Sequence, residues 1–511
     1  MSEPSDQAYA ALLLAAAESG QQGRFDTAIA SFRRAIALLP NRYEAYARLA
    51  QCQFAARMPE AALASWDAAI ARAPGSPELL SAKAAVHRSL AQPQSAAKLY
   101  DEALSLDPAC TTAALGRIGL HLDAGQGAEA AAVLAAITGP DRARLDVRWT
   151  AAKLALGLGD LAAAHDDAAA LVAAPGLNDA QRAEALLLLG EILDGLDDPA
   201  AAFAAAARGK AHAHRLYAER AAGRESEAAK SARLGAWWGA APAAAWAAAP
   251  RVAAIPAEAA THVFLVGFPR SGTTLLEQVL AGHSQVRALE EAPTLADHYA
   301  EFLSDDAGCA RLARLSGAEA DAWRARYWST VAAHGVDATG RVFVDKAPAG
   351  TLYLPLVAKL FPGAKILFAV RDPRDVVLSC FRHDFQMNAM TYAFTALDAT
   401  ADCYAAVMAM MTAYRAGLPL PVLDVRHEAL VDDFAGEVAR IAAFIGIVPE
   451  AAMADVAGTA ARRNVQTPSA RQVRAGLNRR GLDRWRAYAR ELAPVLPVLA
   501  PWVAAFGYPP D

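Results

Sequence analysis

Gly267, Arg270, Ser271, Gly272, Thr273 and Thr274 sit close together, between two segments of opposite periodicity. Before them, Val263 to Val266 is a β-branched and aromatic run that predicts a buried strand. After them, Leu275, Leu276, Val279 and Leu280 recur at helical spacing. A strand, a glycine turn and a helix start, in that order, make an anion cradle. The first N–H groups of a helix have no partner within it, and the helix dipole favours negative charge there. Against the phosphate-loop pattern G-x-x-x-x-G-K-[ST], both glycines and Thr274 match, and Thr273 stands at the lysine position. The loop therefore suits an anionic group but lacks the lysine that nucleotide triphosphatases place on outer phosphates.

Three later apolar runs also end in charge. Val286 to Leu289 predicts a second strand with Glu290 and Glu291 at its C-terminal end, the edge where ligands sit in open parallel sheets. Adjacent strand residues point to opposite faces, so at most one of the two acids is expected to face a site. The alternative is a solvated acid pair or a helix cap before Pro293. Arg341 to Asp345 predicts a third strand ending at Lys346, whose burial requires a partner, either Asp345 or a bound anion. Ile366 to Val370 predicts a fourth, followed by the turn Arg371-Asp-Pro-Arg374 and a helix. Ser379 lies about two turns into that helix. Pro421 to Arg426 predicts a fifth strand. Strands alternating with helices make a doubly wound α/β domain with a central parallel sheet. Residues 462–490 then carry nine arginines against one acid, Asp483. That excess implies an anionic partner or a solvated basic helix, and the segment contains no nucleic-acid-binding module.

The N-terminal half has a different grammar. Pro40, Pro74 and Pro108 recur every 34 residues, as do Phe32, Trp66 and Tyr100, and Ala35, Ala69 and Ala103. An aromatic, a small residue and a helix-ending proline at this period resemble tetratricopeptide repeats. The small residue lets paired helices approach, the aromatic fills the gap to the next repeat, and proline stops the helix. The phase is clear over residues 8–110, and segments 111–138, 145–175 and 181–218 read as degenerate helix pairs. These observations predict a helical domain at 8–220, a connecting helix and linker at 221–256 and the α/β domain at 257–511. Such an array offers a concave surface for a peptide or protein, the alternative being a scaffold or oligomerisation arm.

Composition narrows the setting. A formal charge of −5 over 511 residues gives no global case for nucleic acid or a membrane surface. Met1 to Asp6 has no basic stretch leading into an apolar one, and the apolar segment near 235–255 is broken by Pro242, Pro250 and Arg251, so no signal peptide or membrane span is expected. Cys52, Cys110, Cys309, Cys380 and Cys403 are scattered without C-x-x-C spacing. That argues against a disulfide frame or zinc site and predicts a cytoplasmic location.

Taken together, the charged segments resemble the sulfotransferase superfamily, which uses 3′-phosphoadenosine 5′-phosphosulfate (PAPS). With the repeats, they are similar to bacterial tetratricopeptide-repeat sulfotransferases, whose catalytic domain is related to tyrosylprotein sulfotransferases. Phe268 to Leu275 is similar to the family's 5′-phosphosulfate loop, and Arg371 to Ser379 to its 3′-phosphate motif. Glu291 falls at the general-base position and Lys346, in Asp-Lys-x-Pro, at the catalytic lysine. Thr467-Pro-Ser469 to Val473 and Arg479-Arg-Gly481 to Trp485 resemble the late cofactor-binding segment. The sequence departs from the family where His427 replaces a tyrosine near the adenine, Gly350 an asparagine, and Gly476-Leu477 a proline and β-branched pair.

The resemblance implies that Arg270, Ser271, Gly272, Thr273 and Thr274 bind the 5′-phosphosulfate. Arg371, Ser379, Ser469, Arg479 and Arg480 would bind the 3′-phosphate. Glu291, Arg270 and Lys346 would be catalytic, with no metal required. The implied acceptor is a protein tyrosine presented with help from the repeats, with a saccharide, lipid or small phenol as the alternative and homodimer formation left open. A repeat-based interaction protein with a vestigial nucleotide site, or a nucleotide kinase, are the readings from other classes. Intact Arg270, Glu291 and Lys346 weigh against the first, and Thr273 against the second.

Overall fold

A computed structural model describes residues 3–255, 257–463, 476–479 and 481–510. The chain divides into two compact units, Met1–Ala174 and Pro175–Asp511. Among the described residues, no helix is long and apolar enough to cross a membrane.

The first unit is a stack of antiparallel helix pairs, beginning with Glu3–Gln21 and Phe25–Leu38 and ending with Leu145–Leu158 and Leu161–Ala173. Phe32, Trp66 and Tyr100 are buried, and Ala35, Ala69 and Ala103 are fully so. The 34-residue pattern is therefore a packing pattern. Pro40 and Pro108 each fall two residues beyond a helix end, while Pro59, Pro77 and Pro93 open the helices that follow, where the missing N–H is harmless. Gly116 shows how tight the stack is, because a Cβ there would lie 2.2 Å from the Tyr100 ring.

The second unit is built on a five-stranded, wholly parallel sheet of order β2-β3-β1-β4-β5. The strands are β1 (Thr261–Val266), β2 (Val286–Glu290), β3 (Val342–Lys346), β4 (Lys365–Val370) and β5 (Val422–Arg426). Val263, Leu265, Val344 and Leu367 pack on one face against the helices Thr273–Ala281 and Phe434–Ile445. Phe264, Val266, Phe343 and Phe368 pack on the other, with Tyr327, Trp328, Leu356 and Tyr404. Burial on both faces explains why these strands read as continuous apolar runs.

This unit begins well before residue 257. The helices Asp179–Gly195 and Pro199–Ala221, expected in the repeat domain, belong to it. Asp194 accepts from Arg484 at 2.8 Å and pairs with Arg382 at 2.9 Å, and Phe203 meets Phe381 at 5.2 Å between centroids. Lys210 is buried and donates to the His383 carbonyl at 2.7 Å. Part of the stretch expected as a connecting helix and linker is also core. Trp238 and Trp246 are buried, and the helix Glu227–Gly239 lies so close to Leu397–Arg415 that a Cβ on Gly235 would be 3.1 Å from the Met410 backbone.

A buried polar chain fixes β3 against the helix Gly317–Ala333. Asp345 accepts from Tyr327 at 2.7 Å and Thr294 at 2.8 Å, and the Tyr327 oxygen lies 2.8 Å from His262 Nε2. With the Tyr327 proton given to Asp345, His262 must donate through Nε2. Burial raises the Asp345 carboxyl from 3.8 to about 6. Between those values the folded state holds a proton that the unfolded chain has released, so this group makes stability fall as pH rises through that window. Asp345→Asn removes the titration. In urea unfolding, the loss of stability from about pH 4 to pH 7 should be smaller in the variant by about 2–3 kcal/mol, and equal losses would contradict this reading of Asp345.

Candidate active site

β1 runs into the turn from Gly267 to Gly272 and then the helix Thr273–Ala281. Both glycines are dictated by space. A Cβ on Gly267 would lie 2.7 Å from the Ala369 carbonyl oxygen of β4, and one on Gly272, at φ +93°, would lie 2.5 Å from His427 Nδ1. Gly272 occupies the N-cap position and offers no capping side chain. Ser271, Thr273 and Thr274 are buried around the helix start, where backbone N–H groups and dipole favour an anion. Arg270 is also buried and holds the left-handed conformation at φ +71°.

Basic groups gather on one side of this cradle. Arg270 donates through Nε to Ser379 Oγ at 2.9 Å, and through a terminal nitrogen to His383 Nε2 at 3.3 Å. The His383 Nδ1 lies 2.8 Å from the Ser379 carbonyl oxygen. A carbonyl only accepts, so Nδ1 carries the proton and Nε2 is free to accept from Arg270. Burial and the adjacent Arg270 hold His383 neutral, well below its usual pKa. Burial and Arg371 in turn push the Arg270 guanidinium down to about 10. Arg371 donates to the Arg270 carbonyl at 3.0 Å and to the Gly481 carbonyl, and its Nε is buried with no partner among the described residues. Arg371, Ser379 and Arg270 are thus brought together. Arg479 is not: it is exposed and paired with Asp432. Ser469 and Arg480 lie outside the described residues. Among the described residues of the late segment, Gly481 and Trp485, whose backbone N–H donates to Asp375 at 2.8 Å, reach this side.

An acidic cluster surrounds Lys346 at the C-terminal end of β3, level with Leu265 of β1. The Lys346 ammonium has no solvent exposure. It lies 2.7 Å from Glu291, 3.3 Å from Glu290 and 3.5 Å from Glu277. Asp345, offered as its partner from sequence, faces the other side of the sheet, as strand alternation requires. The expectation that only one of Glu290 and Glu291 faces the site is overturned. Glu291 lies just beyond the strand at φ +48°, and its N–H donates to the Lys346 carbonyl at 2.8 Å. The left-handed residue breaks the alternation, so both carboxylates reach one ammonium. Burial alone would lower the Lys346 pKa, but the three carboxylates outweigh it and raise it.

Sequence reasoning missed His383, Lys210 and Glu277. His383 carried a usable signal, standing one helical turn after Ser379. Glu277 carried a stronger one, as a lone acid inside an otherwise apolar helix face. Lys210 carried none, because its contact joins segments far apart in the chain.

Residues 262–450 match the model described as "Sulfotransferase family", and residues 21–86 match "Tetratricopeptide repeat". A protein of Aquifex aeolicus (strain VF5), described as "Uncharacterized protein", is 26% identical over 253 residues, covering 46% of this chain and 32% of that protein. The chain therefore spans about a third of that relative's length. A Caenorhabditis briggsae protein described as "Putative protein-tyrosine sulfotransferase" is 26% identical over 261 residues, covering 48% of this chain and 88% of that protein. Among solved structures, Pseudomonas aeruginosa pilF aligns at 20% identity and TM-score 0.35, over 42% of this chain and 95% of its own. A thermophilic tetratricopeptide-repeat protein of Thermus thermophilus aligns at 22% identity and TM-score 0.31, over 37% of this chain and 98% of its own. Residues 262–450 thus carry the match to the sulfotransferase family, and residues 21–86 before them the match to tetratricopeptide repeats.

Proposed function

We propose that the protein transfers a sulfuryl group from PAPS to an acceptor hydroxyl, and that the acceptor is a tyrosine in a protein. The observation that carries this reading is a single sheet edge holding both a lysine-free anion cradle and a buried lysine paired with a carboxylate at the end of β2. The buried Nε of Arg371, which has no partner among the described residues, supports a bound anion, since buried donors are otherwise almost always satisfied. The printed description of the Caenorhabditis briggsae relative and the repeats favour a protein tyrosine. All five cysteines are buried and free, which fits a reducing, cytoplasmic setting.

The backbone amides of Ser271 to Thr274, with the Thr273 and Thr274 hydroxyls, hold the 5′-phosphosulfate. Arg371 and Ser379 hold the 3′-phosphate by charge-assisted bonds. Ser469, Arg479 and Arg480 complete that contact, with Arg479 leaving its exposed pair with Asp432. Such surface pairs are worth only about 0–1 kcal/mol, so the exchange costs little. The donor supplies the sulfuryl group and a phosphate oxygen as the leaving atom. Glu291 accepts the proton of the attacking hydroxyl while the new oxygen–sulfur bond forms. Arg270 and Lys346 neutralise the charge that grows on the departing oxygen as the old bond breaks. Fixed cations and aligned amides perform this stabilisation without a metal ion. Glu291 can leave Lys346 for this task because its side chain is 45% exposed.

Glu291→Ala should lower kcat by about 10²–10⁴-fold in a radiolabelled-PAPS assay with tyrosine-containing peptides, while adenosine 3′,5′-bisphosphate still binds. Near-normal transfer by that variant would remove Glu291 from the base role. Transfer only to saccharides, lipids or free phenols would overturn the tyrosine assignment. Arg371→Ala should weaken bisphosphate binding about tenfold or more by calorimetry, the loss expected for hydrogen bonds to a charged group. Unchanged affinity would contradict its place on the 3′-phosphate.

A further inference from the structure

Glu277 and Glu290 are the members of the lysine cluster with no assigned task, and the position of Glu277 is the unusual one. It sits on the helix that forms the anion cradle, one turn after Thr273, and has no solvent exposure. Among the described residues, neither carboxylate oxygen accepts a well-aligned hydrogen bond. Its charge is balanced by two neighbouring cations, Lys346 at 3.5 Å and Arg463 at 2.9 Å. Arg463 closes the helix Val456–Arg463 and donates to the Ala288 carbonyl of β2 at 2.9 Å. A buried carboxylate is costly unless cations remain beside it, so this group is locked to its two partners.

The charges around Lys346 are unequal in number and in freedom. Glu277, Glu290 and Glu291 face it directly, and Arg463 faces Glu277 from the far side. That is three carboxylates against two cations. Glu291 is 45% exposed and Glu290 24%, whereas Glu277 is sealed. When Glu291 turns to an acceptor hydroxyl, two carboxylates and two cations are left, a balanced set. Coulombic attraction is strongest for the pair that water screens least, which makes Glu277 the dominant partner of Lys346 at that moment.

On the sulfuryl-transfer reading above, we infer that Glu277 is a positioning residue, the permanent counter-ion that keeps Lys346 protonated and aimed at the departing phosphate while Glu291 serves the acceptor. The helix that binds the donor thereby also fixes the charge of the lysine that stabilises its departure. The pKa of Lys346, held up by the three carboxylates against burial, agrees with this division of labour. In Glu277→Gln, burial acts on Lys346 with less opposition, so the ammonium should lose its proton at a lower pH.

Calorimetric affinity of the full-length chain for adenosine 3′,5′-bisphosphate, from pH 6.5 to pH 9.5, reads the charge on Lys346 without turnover. The titration of the ligand's own phosphates is common to both proteins and cancels in the ratio of wild-type to variant affinity. That ratio should rise with pH, by about tenfold or more across the range. A ratio that does not change with pH overturns the counter-ion role, even if affinity falls uniformly. Should Glu277→Gln fail to melt cooperatively, Glu277→Asp keeps the charge but draws it back from Lys346. Its ratio should rise by about threefold, and a flat ratio again overturns the role. Absence of bisphosphate binding by the wild-type protein would instead overturn the donor assignment, and this inference with it.

Discussion

A lysine ammonium with no contact with water must be surrounded by negative charge or give up its proton. Lys346 is in that position, at the C-terminal end of a strand buried on both faces. Much of the site follows from this constraint. Glu290 arrives by strand register, since it pairs with Lys346 across β2 and β3. Glu291 arrives by leaving the strand through a left-handed residue, and Glu277 by helical spacing from the anion cradle. Three local geometries thus converge on one charge. The carboxylate with the most solvent access, Glu291, is the one proposed to act as the base.

The cradle solves the complementary problem of holding anions without a lysine in the loop. Its cations come from outside the helix start. Arg270 is turned inward by its positive φ and fixed by Ser379 and His383. Arg371 buttresses the same loop by donating to the Arg270 carbonyl, and among the described residues its buried Nε has no partner. Neutral His383 can accept from the Arg270 guanidinium, which a charged imidazole would repel. The proposed chemistry therefore depends on a charge pattern in which Arg270 and Lys346 keep fixed partners while only one acid is released.

Much of this was legible in the sequence, for reasons that can be named. Short apolar runs located all five strands, and the glycine spacing located the cradle. The 34-residue period located the first helix pairs, because a proline, an alanine and an aromatic each have one packing role there. What could not be read depended on backbone detail or on contacts distant along the chain. Strand alternation set Glu290 against Glu291, and only the left-handed turn at Glu291 reverses that. Asp345 looked like a partner for Lys346, but its hydrogen bonds run to Tyr327 and Thr294 on the opposite face. The helices from Asp179 to Ala221 carry the same alanine-rich pattern as the repeats, so composition could not reveal that Asp194 and Lys210 tie them to the catalytic half.

The central claim is that this edge is built for a sulfuryl donor with a 3′-phosphate, in place of a nucleoside triphosphate. Thermal unfolding of the full chain with adenosine 3′,5′-bisphosphate or with ATP at equal concentration tests it most directly, since a ligand of the folded state raises the melting temperature in proportion to its saturation. The account predicts a clear upward shift with the bisphosphate and little or none with ATP. A shift with ATP equal to or larger than that with the bisphosphate would contradict it.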